Sequence, residues 1–267
     1  MSWLVNWLRK PKRPTRTAAQ PPAPPVEHVV PAAETAPLFE KLRVLRASIS
    51  PIPMKHALDR LPLFDWLEAF DAQRFFDVFD QVKVKEGYAL DYVYYWTGVG
   101  GHPLLYARKT KDARIKTVAE YERTFGNGGQ RPYLERLSFE PSPLGCFQFA
   151  LFDVVAHQFY LSWHDNYNDM EWVCSAERLE EILKPIVAAS SHPLETMRVI
   201  SEADRQKLRA LDLNPRVRIT GKSAQVSVLT FTKWGGFALQ HTRVTWPNRL
   251  GDVKREELAR YQCGIVY

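Results

Sequence analysis

The sequence predicts an α+β fold: antiparallel sheet, as hairpins or two β-meanders, packed with several helices and preceded by a disordered Pro/Ala-rich tail. Three observations carry this. Residues 86–109 and 216–246 alternate apolar and polar side chains between glycine turns, the period-two pattern of antiparallel strands. Residues 59–82 repeat apolar side chains at helical spacing, and 176–187 follow a capping Ser175 with Glu177, Glu180 and Glu181 near the favourable N-terminal end. Residues 11–37 are so rich in Pro and Ala that they cannot build a core. The expected organisation is an amphipathic segment and linker at 1–37, then one α+β domain at 38–267 with a subdomain break near 190–200.

At the N-terminus, MSWLVNWLRK places Trp3, Leu4, Trp7 and Leu8 on one face of a short helix that Ser2 can cap, and Arg9 and Lys10 follow at once. This is the chemistry of a segment that enters an anionic membrane surface or the groove of a partner protein. A secretory signal puts its charge before its apolar run, so the reversed order here argues against export. A basic, acid-poor presequence of mitochondrial type fits the same composition. Cytoplasmic location, peripheral at a membrane, is the expectation.

Residues 38–46 read as a short helix and 50–53 as a rigid turn. In 59–82, Leu63, Trp66, Leu67 and Phe70 change phase near Asp71 before Phe75, Phe76 and Phe79, which predicts a broken helix or two consecutive ones. Residues 86–109 read as a hairpin with Tyr88, Leu90, Tyr92, Tyr94 and Trp96 on one face. Its glycines fail the dinucleotide pattern because Pro103 stands where the third glycine belongs and no helix follows. A helix at 116–125 and a strand at 133–139 come next.

Residues 145–174 combine the densest apolar content in the chain with its most concentrated polar cluster. Residues 145–157 fit a buried helix, although their apolar side chains also fit alternation. Then QFYLSWH, DNYND and MEWVC read as strand, turn and strand, with His164 to Asp169 at the tip. Strand alternation sends Phe159, Leu161 and Trp163 to one face and Gln158, Tyr160, Ser162 and His164 to the other. A helix at 176–187 capped by Ser175, a second at 201–211, strands at 216–220, 224–234 and 237–246, a helix at 254–260 and a closing strand at 262–267 complete the chain. Gly221, Lys222 and Ser223 imitate the end of a P-loop, yet Arg216 replaces its first glycine and a strand follows, so a hairpin turn is expected.

With 45% hydrophobic residues the 267-residue chain can bury a core, and its longest apolar run is broken by Asp153 and His157 before it could span a membrane. Cys146, Cys174 and Cys263 lack the spacing of a zinc site or disulfide framework. The net charge of +6 divides unevenly: residues 1–26 hold five basic and no acidic side chains, leaving 31 basic against 30 acidic in the rest. So neutral a body lacks a general footprint for nucleic acid, which is not an expected partner, though a local patch is compatible with it.

The candidate ligand-binding residues are His164, Asp165, Asn168 and Asp169; with His157 and Glu171 they supply groups that bind metals or move protons. Their spacing matches neither an EF-hand nor H-E-x-x-H, and Asn and Asp are common at turns because they bond their own backbone. No cofactor and no catalytic residue is assigned. Two functions are expected from these readings: a non-enzymatic interaction or regulatory protein tethered through its N-terminal segment to a protein partner or anionic membrane, or a metal-assisted hydrolase using the cluster at 157–171.

Overall fold

The computed structural model describes residues 24–49, 70–96, 99–126, 131–186 and 199–261. Among them the elements are β1 (Val26–Val29), α1 (Ala32–Ala47), α2 (Phe75–Val78), β2 (Val82–Val84), β3 (Tyr88–Trp96), β4 (Gly100–Lys109), α3 (Val118–Phe125), β5 (Leu137–Phe139), α4 (Pro143–Val155), β6 (Ser162–Trp163), β7 (Glu171–Trp172), α5 (Ala176–Leu183), α6 (Glu202–Arg209), β8 (Arg216–Thr220), β9 (Ser223–Thr232), β10 (Gly236–Thr245) and β11 (Arg249–Ala259). Short 3-10 turns occupy residues 72–74, 132–136 and 164–168. The fold is α+β, and all its strand pairs are antiparallel.

The largest sheet runs β1-β8-β9-β10-β11, with β7 also paired to β9. Because β10 holds one edge of β9 along its length, β8 and β7 share the other edge, at residues 223–227 and 230–231 respectively. β3, β4 and β6 form a second sheet, and β2 and β5 a third.

Helix α4 is the axis on which these layers pack. Ser142 Oγ accepts from the Gly145 amide and Pro143 pre-sets the first turn, so the sequence marks this start twice. Phe147, Phe149, Leu151, Phe152 and Val155 are buried all round it, as expected of a helix enclosed on every side. Phe152 meets Phe75, Phe76 and Phe79 at ring-centre distances of 5.9, 5.6 and 5.4 Å, while Phe149 stacks on Phe139 at 4.5 Å. Burial of each such ring contributes about 1.5–3 kcal/mol.

Two smaller cores flank this one. α5 and α6, capped by Ser175 and Ser201, place Leu179, Leu183 and Leu208 against Phe231 and Phe237. Buried Arg205 ties α6 to the end of α5 by donating to the carbonyls of Leu183, Ile186 and Ile200. On the β3–β4 sheet, Leu90, Tyr92, Tyr94 and Leu105 face the main core, whereas Val93, Leu104 and Tyr106 face Tyr121 of α3. Asp91, on that second face, takes Arg108 at 3.0 Å and Arg114 at 2.5 Å.

Four sequence expectations are corrected. The folded body begins before residue 38, since Val26–Val29 pairs with β8 and α1 starts at Ala32: within the Pro/Ala run, VEHV carries strand-forming valines and Pro31 sits at the cap of α1. Residues 254–260 are strand rather than helix, because the edge of β10 offers a ladder that outweighs the helical propensity of KREELAR. Only residues 137–139 of the strand expected at 133–139 are extended, a 3-10 turn taking the rest. The central hairpin does not form: β6 pairs with β4 and β7 with β9, so the 164–168 turn joins two sheets. Tyr160, at φ 52°, breaks the alternation on which the hairpin rested, and Ser162 is buried rather than part of a polar row.

Residues 1–23, 59–69 and 262–267, with the expectations that fall on them, lie outside the described residues. No helix among the described residues is long and apolar enough to cross a membrane.

Candidate functional site

The turn between β6 and β7 spreads its polar side chains in three directions. Asp165 reaches back to β4, where its Oδ2 lies 2.9 Å from His102 Nδ1. The glycines that open β4 permit this: a Cβ on Gly100 would lie 2.9 Å from Asp165 Cγ, and one on Gly101 would collide with the Tyr94 hydroxyl. That hydroxyl in turn donates to Ser162 Oγ at 3.1 Å. Asp169 points instead to α1 and accepts from Arg46 at 2.7 Å. Glu171 pairs with Arg178 of α5.

His164 has its amide on the Val99 carbonyl at 3.2 Å and its ring edge-on to Tyr167, while Asn168 is exposed and accepts a 3.4 Å bond from Gln158 at its carbonyl. The expected candidates therefore share a turn but not a focus. Among the described residues no group of three or more His, Cys, Asp or Glu side chains could hold a metal ion.

His157 belongs to a different cluster. Its Nδ1 lies 2.7 Å from the carbonyl oxygen of Asp153, and its ring packs on Tyr133 at 5.5 Å. Burial holds its pKa below the ordinary imidazole value, outweighing the nearby Asp153, and His102 and Arg131 add to the lowering. Asp153, almost fully buried, accepts from the Tyr133 hydroxyl at 2.5 Å and pairs with Arg131 at 2.8 Å. Burial raises the Tyr133 pKa well above its usual value, with the Asp153 charge reinforcing it. Each member has a partner, which marks a closed structural network.

A concave feature lies beyond Asp169, between α1 and the segment from β7 into α5. It is a groove of about 470 Å³ whose floor is Phe39, Leu42, Trp172 and Cys174 and whose α1 wall is the small side chains Ala32, Thr35 and Ala36. Its rim alternates in sign. Arg43 holds Glu40, Arg46 holds Asp169, and Arg178 holds both Glu171 and Glu181. Arg46 Nε is buried and makes no hydrogen bond, so one donor at the groove is unused. Burial pushes the Cys174 thiol pKa far up, so the floor carries no thiolate nucleophile.

No family model, curated protein or solved structure matches the chain. The sequence reading missed the groove and His102, because each depends on pairings between distant segments: α1 with residues 171–181, and β4 with the 164–168 turn. One signal was present, the apolar spacing of Phe39, Leu42 and Leu45 on α1, but those residues look like ordinary core until Trp172 and Cys174 are placed beside them. Trp3, Leu4, Trp7, Leu8, Arg9 and Lys10 lie outside the described residues.

Proposed function

We propose that the protein is a non-enzymatic interaction module that receives an amphipathic segment of a protein partner in the groove between α1 and α5, with its N-terminal segment as a second attachment. The groove carries the reading. An apolar floor bordered by charges of both signs suits a helix or strand that buries one face and pairs the other. The unused Arg46 Nε–H would find an acceptor in such an occupant. Trp3, Leu4, Trp7 and Leu8, with the positive charges after them, would hold the protein to an anionic membrane or a second groove, and the membrane case would fit a cytoplasmic protein at a membrane periphery.

The test fills the groove from an exposed position. Ala36→Trp projects a large ring from α1 into it, while Ala33→Trp, exposed but outside the lining, is the control. Purified full-length protein and both variants are used as bait, and every captured protein is re-tested as an isolated segment by titration. Binding lost with Ala36→Trp and kept with Ala33→Trp supports the reading, and segments that bind all three equally overturn it. The hydrolase reading keeps one favourable observation, the His102–Asp165 pair, which could serve as a general base; His102→Ala would then abolish any hydrolysis detected.

A further inference from the structure

The register of the large sheet gathers cations that are scattered in the sequence. β8, β9, β10 and β11 are in register over three rows on the sheet face whose other end, at Leu229, Phe231 and Phe237, is covered by α5 and α6. One row is Arg216, Ser227, His241 and Lys254; the next is Arg218, Gln225 and Arg243, with Gly251 beside Arg243; the third is Thr220, Ser223, Thr245 and Arg249. With strands about 4.8 Å apart and same-face residues about 6.8 Å apart, the rows cover a patch about 14 Å across each way. Arg216, Arg218, Gln225, Arg243, Arg249 and Lys254 are exposed.

Elsewhere many arginines are engaged by carboxylates: Arg46 by Asp169, Arg114 by Asp91, Arg131 by Asp153 and Arg209 by Glu180. On this face only Arg216 is so held, by Glu27 and Asp212. Arg218, Arg243, Arg249 and Lys254 have no carboxylate within salt-bridge distance among the described residues, even with Asp252 and Glu256 on β11. Arg218 lies across from Glu27 of β1, and Lys254 between Asp252 and Glu256 along β11, without a salt bridge to them, while Thr220, Ser223, Gln225, Ser227 and Thr245 supply neutral hydrogen-bonding side chains and His241 is held by Ser227 at 2.8 Å.

We propose that this sheet face binds the phosphate backbone of duplex nucleic acid without reading its sequence. Arginine, lysine, serine, threonine and glutamine side chains are the donors that position proteins on phosphates. The three rows contain no Phe, Tyr or Trp on which an unpaired base could stack, and their His241 ring is held by Ser227, which disfavours single strands. They also present no large apolar side chain to enter a bilayer, which disfavours lipid. The high charge density of a duplex, one negative charge per about 1.7 Å of axis, matches a compact patch of unpaired cations. The near neutrality of the body as a whole does not oppose this, since its charge balance is reached by pairing elsewhere.

The test uses the full-length protein and a fluorescent DNA duplex of about 20 base pairs, titrated across about 50 to 200 mM salt. Arg218→Gln with Arg243→Gln is compared with Arg123→Gln with Lys207→Gln, an equal loss of charge at exposed positions away from the patch. A third protein lacking residues 1–16 removes the basic tail. The expected result is binding that weakens with salt, a drop of tenfold or more at low salt in the face variant, and a log–log salt slope shallower by about 1.8, near 0.9 for each cation removed. The remote variant should bind like the parent, and the tail deletion should leave the face-dependent part intact. Equal losses in the face and remote variants would overturn the proposal, as would binding that vanishes with the tail while the face variant keeps full affinity. If the face variant loses binding to polyglutamate or anionic vesicles but not to the duplex, nucleic acid is the wrong occupant and the proposal also fails. Melting temperatures of all four proteins confirm that folding is unchanged, and Arg249→Gln with Lys254→Gln repeats the test from the other edge.

Discussion

Removing the carboxylate of Asp153 should unfold the protein at a much lower temperature, while removing that of Asp165, twelve residues on in the same stretch, should scarcely matter. The difference lies in what each carboxylate leaves behind. The Asp153 side chain is 5% exposed and holds the hydroxyl of Tyr133, itself fully buried, and the guanidinium of Arg131, 43% exposed. In Asp153→Ala, Arg131 can turn to water, but the Tyr133 hydroxyl cannot, and an unsatisfied buried donor costs about 1–3 kcal/mol. With the lost charge-assisted pairing included, breaking such a buried pair costs about 3–5 kcal/mol. The Asp165 and His102 side chains are 25% and 33% exposed, so water replaces each partner and the expected cost is under about 1 kcal/mol. At about 2–4 °C per kcal/mol for a domain of this size, Asp153→Ala should lower Tm by about 6–20 °C and Asp165→Ala by less than about 4 °C. Thermal unfolding followed by circular dichroism measures both. An Asp153→Ala protein that melts within about 2 °C of the parent would refute the network's structural role. An equal loss in Asp165→Ala would show the turn to be a structural element and not an available site.

Burial and close packing elsewhere set three more expected outcomes. Because burial lowers the His157 pKa below its ordinary 6.5, the unfolded chain takes up the proton first; Tm should hold above that pH and fall as the pH drops through the folded-state pKa. His157→Gln should lose that part of the pH dependence when melting is compared at about pH 7.5 and about pH 5.5. Gly101→Ala forces a methyl group into the Tyr94 hydroxyl and should lower Tm, whereas Gly101→Ala with Tyr94→Phe should recover part of the loss. Burial raises the Cys146 pKa to about 12 and the Cys174 pKa further still, so neither thiol should react with a disulfide reagent until denaturant is added.

The parts of the fold legible in the sequence are those whose determinants are local. Ser142, Thr117, Ser175 and Ser201 each cap the helix that follows them, and the glycines at 221 and 236 adopt positive φ between the strands they separate. The split of Tyr92 and Tyr94 from Val93 follows from alternation and is observed as two separate cores. Where a partner outside the segment decides, the local signal misleads. KREELAR has the composition of a helix and becomes an edge strand because β10 has an edge to fill.

The central stretch shows why the candidate site was only half legible. Two β-prone runs flanking an Asn/Asp turn are the pattern of a hairpin, but a hairpin requires the runs to pair with each other. Here each run is shortened to two residues and captured by a different sheet, β6 by Gly100 and Gly101 and β7 by Thr230 and Phe231. The turn residues are thereby pulled apart, with Asp165 drawn to His102 and Asp169 to Arg46. What pattern reading took for one polar cluster is therefore a connection between layers whose two acids face different elements. The same displacement makes the groove, since carrying β7 to β9 sets Trp172 and Cys174 opposite α1. The concave surface is a product of that long-range capture, which is why changing Ala36 on α1 tests it more directly than changing any residue of the turn.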